Sequence, residues 1–324
     1  MGRVTRRVAT AVPTLLLVTI VVFALIHAVP GDPLSGSGEE TVAGRLPPDR
    51  LAALRATYRL DEPLPRRYAL WLRDIATGDL GRSFRDRRPV GELLAERLEV
   101  TVALNGLALA LVVALGLPLG IAAARRPGSR FDRSTAVVGY ALYAVPVFWA
   151  ALMLQSAFAV HWELFPLHGL ASDGVERFGW WTRALDRTAH LVLPAIALAY
   201  GGIAYVARFV RANLLETALP ASARAARARG VGPVAIVLRH GLRQAAIPLL
   251  TLAGFLVPAL VGGSVLVETV FGIPGLGQLF YDAAFARDVP VIMALTLLSG
   301  AATLAGVVLA DLLYAIADPR VRRA

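Results

Sequence analysis

The chain of 324 residues contains no cysteine, which excludes disulfides, thiolate metal ligands and cysteine nucleophiles. It contains no lysine either, because all 33 of its basic residues are arginine. A phosphate-binding P-loop lysine and a Schiff-base lysine are therefore both absent. If nucleotide energises this protein, another subunit has to bind it. Charged residues make up only 17% of the sequence, against about 25% in an average soluble domain. The five histidines are scattered, with no His-Glu-x-x-His and no ligand cluster for a metal. Ser134, Ser156, Ser264 and Ser299 all stand outside any Gly-x-Ser-x-Gly elbow. An intramembrane serine hydrolase, which needs a serine and a histidine facing one another, has no visible constellation here.

What the chain does have is apolar surface: 56% of residues are hydrophobic and the mean hydropathy is +0.61. The length alone allows about two domains, but this hydropathy suggests one polytopic membrane unit with a polar insert. Six uncharged stretches are long enough to cross a bilayer core, at 8–31, 100–124, 134–162, 188–207, 244–267 and 289–310. Lipid forces backbone groups to pair internally, and none of the six alternates like a strand, so all are expected to be helical. The first follows Arg3, Arg6 and Arg7 and ends in His27-Ala28-Val29-Pro30. It exceeds a signal-peptide core and lacks a small-x-small cleavage site, so it reads as a retained helix.

The segments between the stretches alternate in charge. The N-terminal tail is +3, residues 125–133 are +3, 208–243 are +6 and the tail from Asp311 is +1, whereas 161–187 and 268–288 are −1 and −2. Arginine-rich loops stay in the cytoplasm, which puts both termini and the 208–243 loop inside. The basic pI of 10.8 is thereby accounted for by topology rather than by nucleic acid. Residues 32–99 carry twelve charges of each sign and form the polar insert on the outer side. Within it Tyr68, Trp71, Leu72 and Ile75 share one helical face, and Gly78 ends the pattern. Val90, Leu93, Leu94 and Leu98 form a second apolar stripe running into the second stretch.

Ionisable groups inside or beside the stretches are few: His27, His190, Glu268 and Asp311. Each reads as an interfacial or paired group, and no chain of them makes a proton relay. Gly116-x-x-x-Gly120 fits close helix–helix approach, and Pro118, Pro146, Pro194, Pro248 and Pro258 are candidate kinks. The most informative segment is the inner loop Arg224-Ala225-Ala226-Arg227-Ala228-Arg229-Gly230, followed at 239–243 by Arg239-His240-Gly241-Leu242-Arg243. It predicts a short alanine-rich helix stopped by Gly230, then a second helix entering the membrane. Pattern alone leaves two readings open: a solvated basic loop that sets topology, or a flat arginine-edged face for an acidic groove.

The loop resembles the EAA loop of ABC-importer permeases of the dipeptide/oligopeptide/nickel family, including the Arg-His-Gly-Leu-Arg that follows it. Other motifs similar to that family span nearly the whole chain. They are Ala28-Val29-Pro30-Gly31-Asp32-Pro33, Leu60-Asp61-Glu62-Pro63-Leu64-Pro65, Gly78-Asp79-Leu80-Gly81-Arg82-Ser83, Glu268-Thr269-Val270-Phe271 with Pro274-Gly275-Leu276-Gly277, and Asp311-Leu312-Leu313-Tyr314 with Asp318-Pro319-Arg320. Two departures stand in the loop: Arg224 takes the place of the general motif's glutamate, and Ala221-Ser222-Ala223 precede it where an acidic–aromatic–Val run is expected.

The resemblance implies an all-α polytopic membrane protein with six transmembrane helices and the type I ABC importer fold. Residues 1–95 would be an N-terminal helix plus outer segment, and 96–320 the permease domain carrying the coupling loop 208–243. It implies a bacterial plasma-membrane protein that is not itself an enzyme. The expected partners are a second homologous permease subunit, two ATPase subunits holding ATP and Mg, an extracytoplasmic binding protein and membrane lipid. No cofactor and no metal are expected in this chain. Arg224, Ala225, Ala226, Arg227, Ala228, Arg229, Gly230 and His240 are carried over as the ATPase-coupling residues. The solute would be a peptide or a related small molecule such as a metal–chelate complex. A secondary transporter or channel is the alternative. It would call for intramembrane charges and inverted repeats, which the sequence does not display.

Overall fold

The computed structural model describes residues 3–28, 48–218, 228–232 and 256–317, and every element in them is helical or irregular. The helices are α1 (Arg3–Ala28), α2 (Pro48–Thr57), α3 (Leu64–Ala76), α4 (Val90–Arg125), α5 (Arg130–Ala144), α6 (Val147–Leu154), α7 (Trp180–Ala218), α8 (Leu256–Val261), α9 (Val265–Val270), α10 (Leu276–Phe285) and α11 (Val289–Ala317).

Among the described residues three helices are long and apolar enough to cross a membrane unaided: Val90–Arg125, Trp180–Glu216 and Val289–Leu313. They correspond to the second, fourth and sixth apolar stretches. The first stretch is the apolar part of α1, Val12–Ala28. Exposed Trp162, Trp180 and Trp181 flank the segment between α6 and α7, where amphipathic rings mark a membrane–water boundary.

Two stretches expected as continuous helices are interrupted. The third bends by 98° between α5 and the helix formed by α6 and the π-helical turn Gln155–His161. Pro146 is the cause: it has no N–H to give, and it drives Val145 out of the helical region, to φ −79° and ψ 124°. The carbonyl of Val145 accepts a hydrogen bond from the Tyr200 hydroxyl of α7, so the bend leaves it paired. The fifth stretch is described only from Leu256 onward and breaks at 262–264, between α8 and α9. There the Asn105 side-chain amide of α4 donates to the carbonyls of Leu260 and Gly262 at 3.2 and 3.1 Å. It satisfies helix-end acceptors that lipid could not.

α4 and α7 form the most extensive packing. Gly116 and Gly120 let them approach: a Cβ on Gly120 would stand 2.6 Å from the Ala207 carbonyl oxygen. Beyond that seam, Leu104 and Ala108 of α4 pack with Leu193 and Ala197 of α7 and with Phe271 and Ile273. The stripe Val90, Leu93 and Leu94 is buried against Leu276 and Leu279 of α10 and Val291 of α11. The outer segment is anchored similarly. Tyr68 and Trp71 of α3 stack with ring centroids 5.6 Å apart and pack on Phe23 and Met293. Gly78, at φ +83°, ends that helical pattern as the sequence predicts.

Candidate functional site

The basic rim is organised around Asp132 in the first turn of α5. Ser129 caps that helix by accepting from the Asp132 N–H. The Asp132 side chain, only 3% exposed, accepts from the Gly128 N–H at 2.8 Å and from both Nε and Nη2 of Arg211, the latter at 2.7 Å. Arg208 lies 3.8 Å away on the same carboxylate and 5.7 Å over the Tyr140 ring. A planar guanidinium matched two-pronged to a carboxylate is the strongest side-chain pairing available. α7 then runs two further turns to Ala218 and delivers the chain to the arginine–alanine loop.

Of the eight predicted coupling residues, Arg224, Ala225, Ala226, Arg227 and His240 lie outside the described residues. Ala228, Arg229 and Gly230 are described and exposed, with Ala228 helical and the next two in a turn. Gly230 sits at φ +80°, the left-handed conformation that ends a helix and that a residue with a Cβ resists.

The opposite rim is held by two buried carboxylates. Glu268 of α9 is fully buried. It accepts from the Gln278 N–H at 2.8 Å, the Ser264 N–H at 3.3 Å and the Thr101 hydroxyl at 3.4 Å. The Thr101 oxygen in turn accepts from the Leu276 N–H at 2.8 Å. The first N–H groups of α10, which no intrahelical acceptor can reach, are thus capped by side chains from α4 and α9. Glu268 is thus a paired group. Its neighbours must be small: a Cβ on Gly275 would stand 2.5 Å from the Glu268 carboxyl carbon.

Asp288, between α10 and α11, joins the 78–89 segment to the bundle. It accepts from the buried Ser83 hydroxyl, and its Oδ1 has no partner among the described residues. Burial pushes this carboxyl above the usual carboxylate range, against hydrogen bonds from Ser83 and the backbone N–H groups of Phe84, Arg85 and Val291. Sequence reasoning missed Asp132, Arg211, Ser83 and Asp288 as structural partners, since each pair is separated by 79 or more positions.

A cavity of about 510 Å³ opens between α1, the 262–264 break, α10 and α11. Thr14, Thr296, Ser299 and Thr303 supply its hydroxyls and Gly262 and Gly263 its exposed backbone, and among the described residues no ionisable side chain lines it.

Long apolar helices, two apolar stretches that break, and buried acids paired within the bundle describe a polytopic helical membrane protein. Residues 116–323 match the model of the binding-protein-dependent transport system inner membrane component, and residues 1–105 match its N-terminal membrane component. The chain belongs to that family and is a permease subunit of an ABC importer, a multi-pass inner membrane protein that works with ATPase and other subunits. It is 37% identical over 317 residues to the oligopeptide transport system permease protein AppB of Bacillus subtilis, covering 98% of each chain. It is 34% identical to the dipeptide transport system permease protein DppB of Escherichia coli, over 98% of this chain and 97% of that one. A putative peptide transport system permease protein of Brucella abortus is 38% identical over 322 residues, 98% of each chain. Among solved structures, the inward-facing MetNI methionine ABC transporter aligns with a TM-score of 0.51 at 23% identity, covering 68% of this chain and 96% of that one. That likeness concerns the type I importer fold.

Proposed function

We propose that this chain forms half of the translocation pore of an ATP-driven importer of peptides, delivered by an extracytoplasmic binding protein. The observation that carries this reading is the end-to-end similarity to permeases named for oligopeptides and dipeptides. A metal–chelate solute is the second choice within the same class. In this reading both termini and the basic rim face the cytoplasm, which the arginine-rich loops support. A second homologous permease completes the pore, and two ATPase subunits holding ATP and Mg dock on the 224–230 loop. Residues 1–95 contribute the first helix and outer segment, and residues 96–320 the permease core.

In this mechanism ATP binding closes the ATPase pair, and the docked loop moves with it as a lever. The helices repack from inward-open to outward-open and accept solute from the binding protein. ATP drives this only because it binds the two states with different affinity. Gly230→Val, which forces a Cβ-branched residue to φ +80°, and Ala226→Glu, which adds charge and bulk to the docking face, each uncouple hydrolysis from uptake. Full uptake and full solute-stimulated hydrolysis in both variants would falsify the role of the loop. Mass spectrometry of the solute retained by the co-purified binding protein tests the substrate class: a retained chelate and no peptide overturns the first choice.

A further inference from the structure

We propose that the Asp132–Arg211 ion pair is a latch that makes α5 and α7 one rigid lever, carrying the movement of the coupling loop to the bend at Val145–Pro146. The inference rests on the importer reading above and assigns that reading's force-transmitting residues.

Three contacts tie the two helices along their length. At the basic end, Asp132 takes both prongs of Arg211, while Arg208 reaches the same carboxylate and the Tyr140 ring. In the middle, Gly139 is buried where a Cβ would meet the Cβ of Ala204 at 3.6 Å. At the far end, the Tyr200 hydroxyl of α7 holds the Val145 carbonyl exposed by the bend. Tyr200 and Arg211 are about 16 Å apart along α7, so the helices are held at both ends and packed between. α7 runs without interruption from that grip to Ala218, next to the coupling loop. Proline 146 removes the backbone bond that would continue α5, and the structure already bends there by 98°. A push on α7 therefore moves α5 with it, and the change of direction falls at the bend.

The distal arm is also tied down. Gln155 in the π-helical turn donates to the Leu167 and Val270 carbonyls at 2.8 and 3.1 Å. Val270 ends α9, whose Glu268 holds α10. Asp132 and Arg211 are positioning residues in this scheme. They touch no solute, and they act by keeping α5 registered to α7.

The natural absence of cysteine makes the test direct. In the assembly that co-purifies with the chain, Tyr143→Cys and Glu216→Cys carry spin labels on α5 and α7, about 24 Å apart along the helix direction. Their separation is measured by pulsed electron resonance without nucleotide and after trapping with ATP, Mg and vanadate. A rigid lever leaves the separation unchanged between the two states, while a label pair from Glu216 to an α6 position changes. In proteoliposomes with radiolabelled trialanine as probe, Asp132→Asn and Arg211→Gln each lower uptake per ATP hydrolysed about tenfold, and the double variant is no worse than either alone. This non-additivity and the altered uptake-to-hydrolysis ratio are not expected from reduced assembly alone, which lowers both rates together. A wild-type α5–α7 separation that shifts on trapping, or an Asp132→Asn assembly with wild-type uptake per ATP, overturns the latch. If Asp132→Asn does not assemble, the wild-type distances decide. A wild-type assembly with no ATP-dependent uptake of the probe removes the importer reading first, and the latch with it.

Discussion

Gly275→Ala tests the claim that Glu268 is the clasp of the rim opposite Asp132. The new methyl would lie 2.5 Å from the carboxyl carbon of Glu268 and 2.6 Å from each of its oxygens. Ordinary contact requires about 1 Å more, so the carboxylate must withdraw. Its bond to the Gln278 N–H is 2.8 Å and its contact with the Ser264 N–H is already 3.3 Å, so withdrawal breaks at least one. Overpacking costs about 1–3 kcal/mol, and a lost hydrogen bond adds about 0.5–1.5 kcal/mol. The expected loss is therefore roughly 3 kcal/mol. Glu268→Ala leaves the Gln278 and Ser264 N–H groups and the Thr101 hydroxyl without their shared acceptor, at about 1–3 kcal/mol each, or roughly 6 kcal/mol together. Because Gly275→Ala acts through Glu268, the double variant costs about as much as Glu268→Ala alone, a coupling of about 3 kcal/mol. Reversible unfolding in detergent, followed by tryptophan fluorescence, measures all three. Costs that add to within about 0.5 kcal/mol show that the two residues act independently and refute the clasp.

Other consequences are simpler to read. Gly120→Ala, with its Cβ 2.6 Å from the Ala207 oxygen, separates α4 from α7 and costs about 1–3 kcal/mol, while Gly201→Ala, with nothing within 4 Å, is neutral or slightly stabilising in the same melting assay. Asp288 has a folded-state pKa above its ordinary 3.8, so folding takes up a proton there. Stability is therefore full below pH 3.8 as far as this group is concerned and declines as pH rises above that value through the folded pKa. Asp288→Asn removes the dependence. The melting temperature of the variant relative to wild type climbs from pH 4 towards pH 8, and a constant difference refutes the assignment. Ser83→Ala, which takes away the hydroxyl held by Asp288, costs about 1–3 kcal/mol in the same assay.

The identity of the helices was legible along the chain because a membrane span is a local property. Twenty apolar residues and the absence of charge suffice, and all six stretches contain helix wherever they are described. The Gly116–Gly120 seam, the amphipathic face of Tyr68 and Trp71 and the stop at Gly78 were equally local, and the structure shows each. Pro146 announced a kink, but not one of 98°, nor that the Tyr200 hydroxyl of another helix would donate to the Val145 carbonyl left at the bend. Glu268 was visible as an isolated acid. Its role was not, because its donors are backbone N–H groups ten positions on and its hydroxyl partner, Thr101, is 167 positions away.

Composition and order along the chain thus determined the solvent this protein folds in, the number of apolar stretches, the arginine-rich side and, through its motifs, the family. Tertiary structure alone decided which helices are bent or broken, and which acids serve as ties. It joined Asp132 to Arg211 and Ser83 to Asp288. The physical reason is that hydropathy and helix periodicity act between near neighbours, whereas a buried carboxylate is satisfied only by whichever donors the packed helices bring to it.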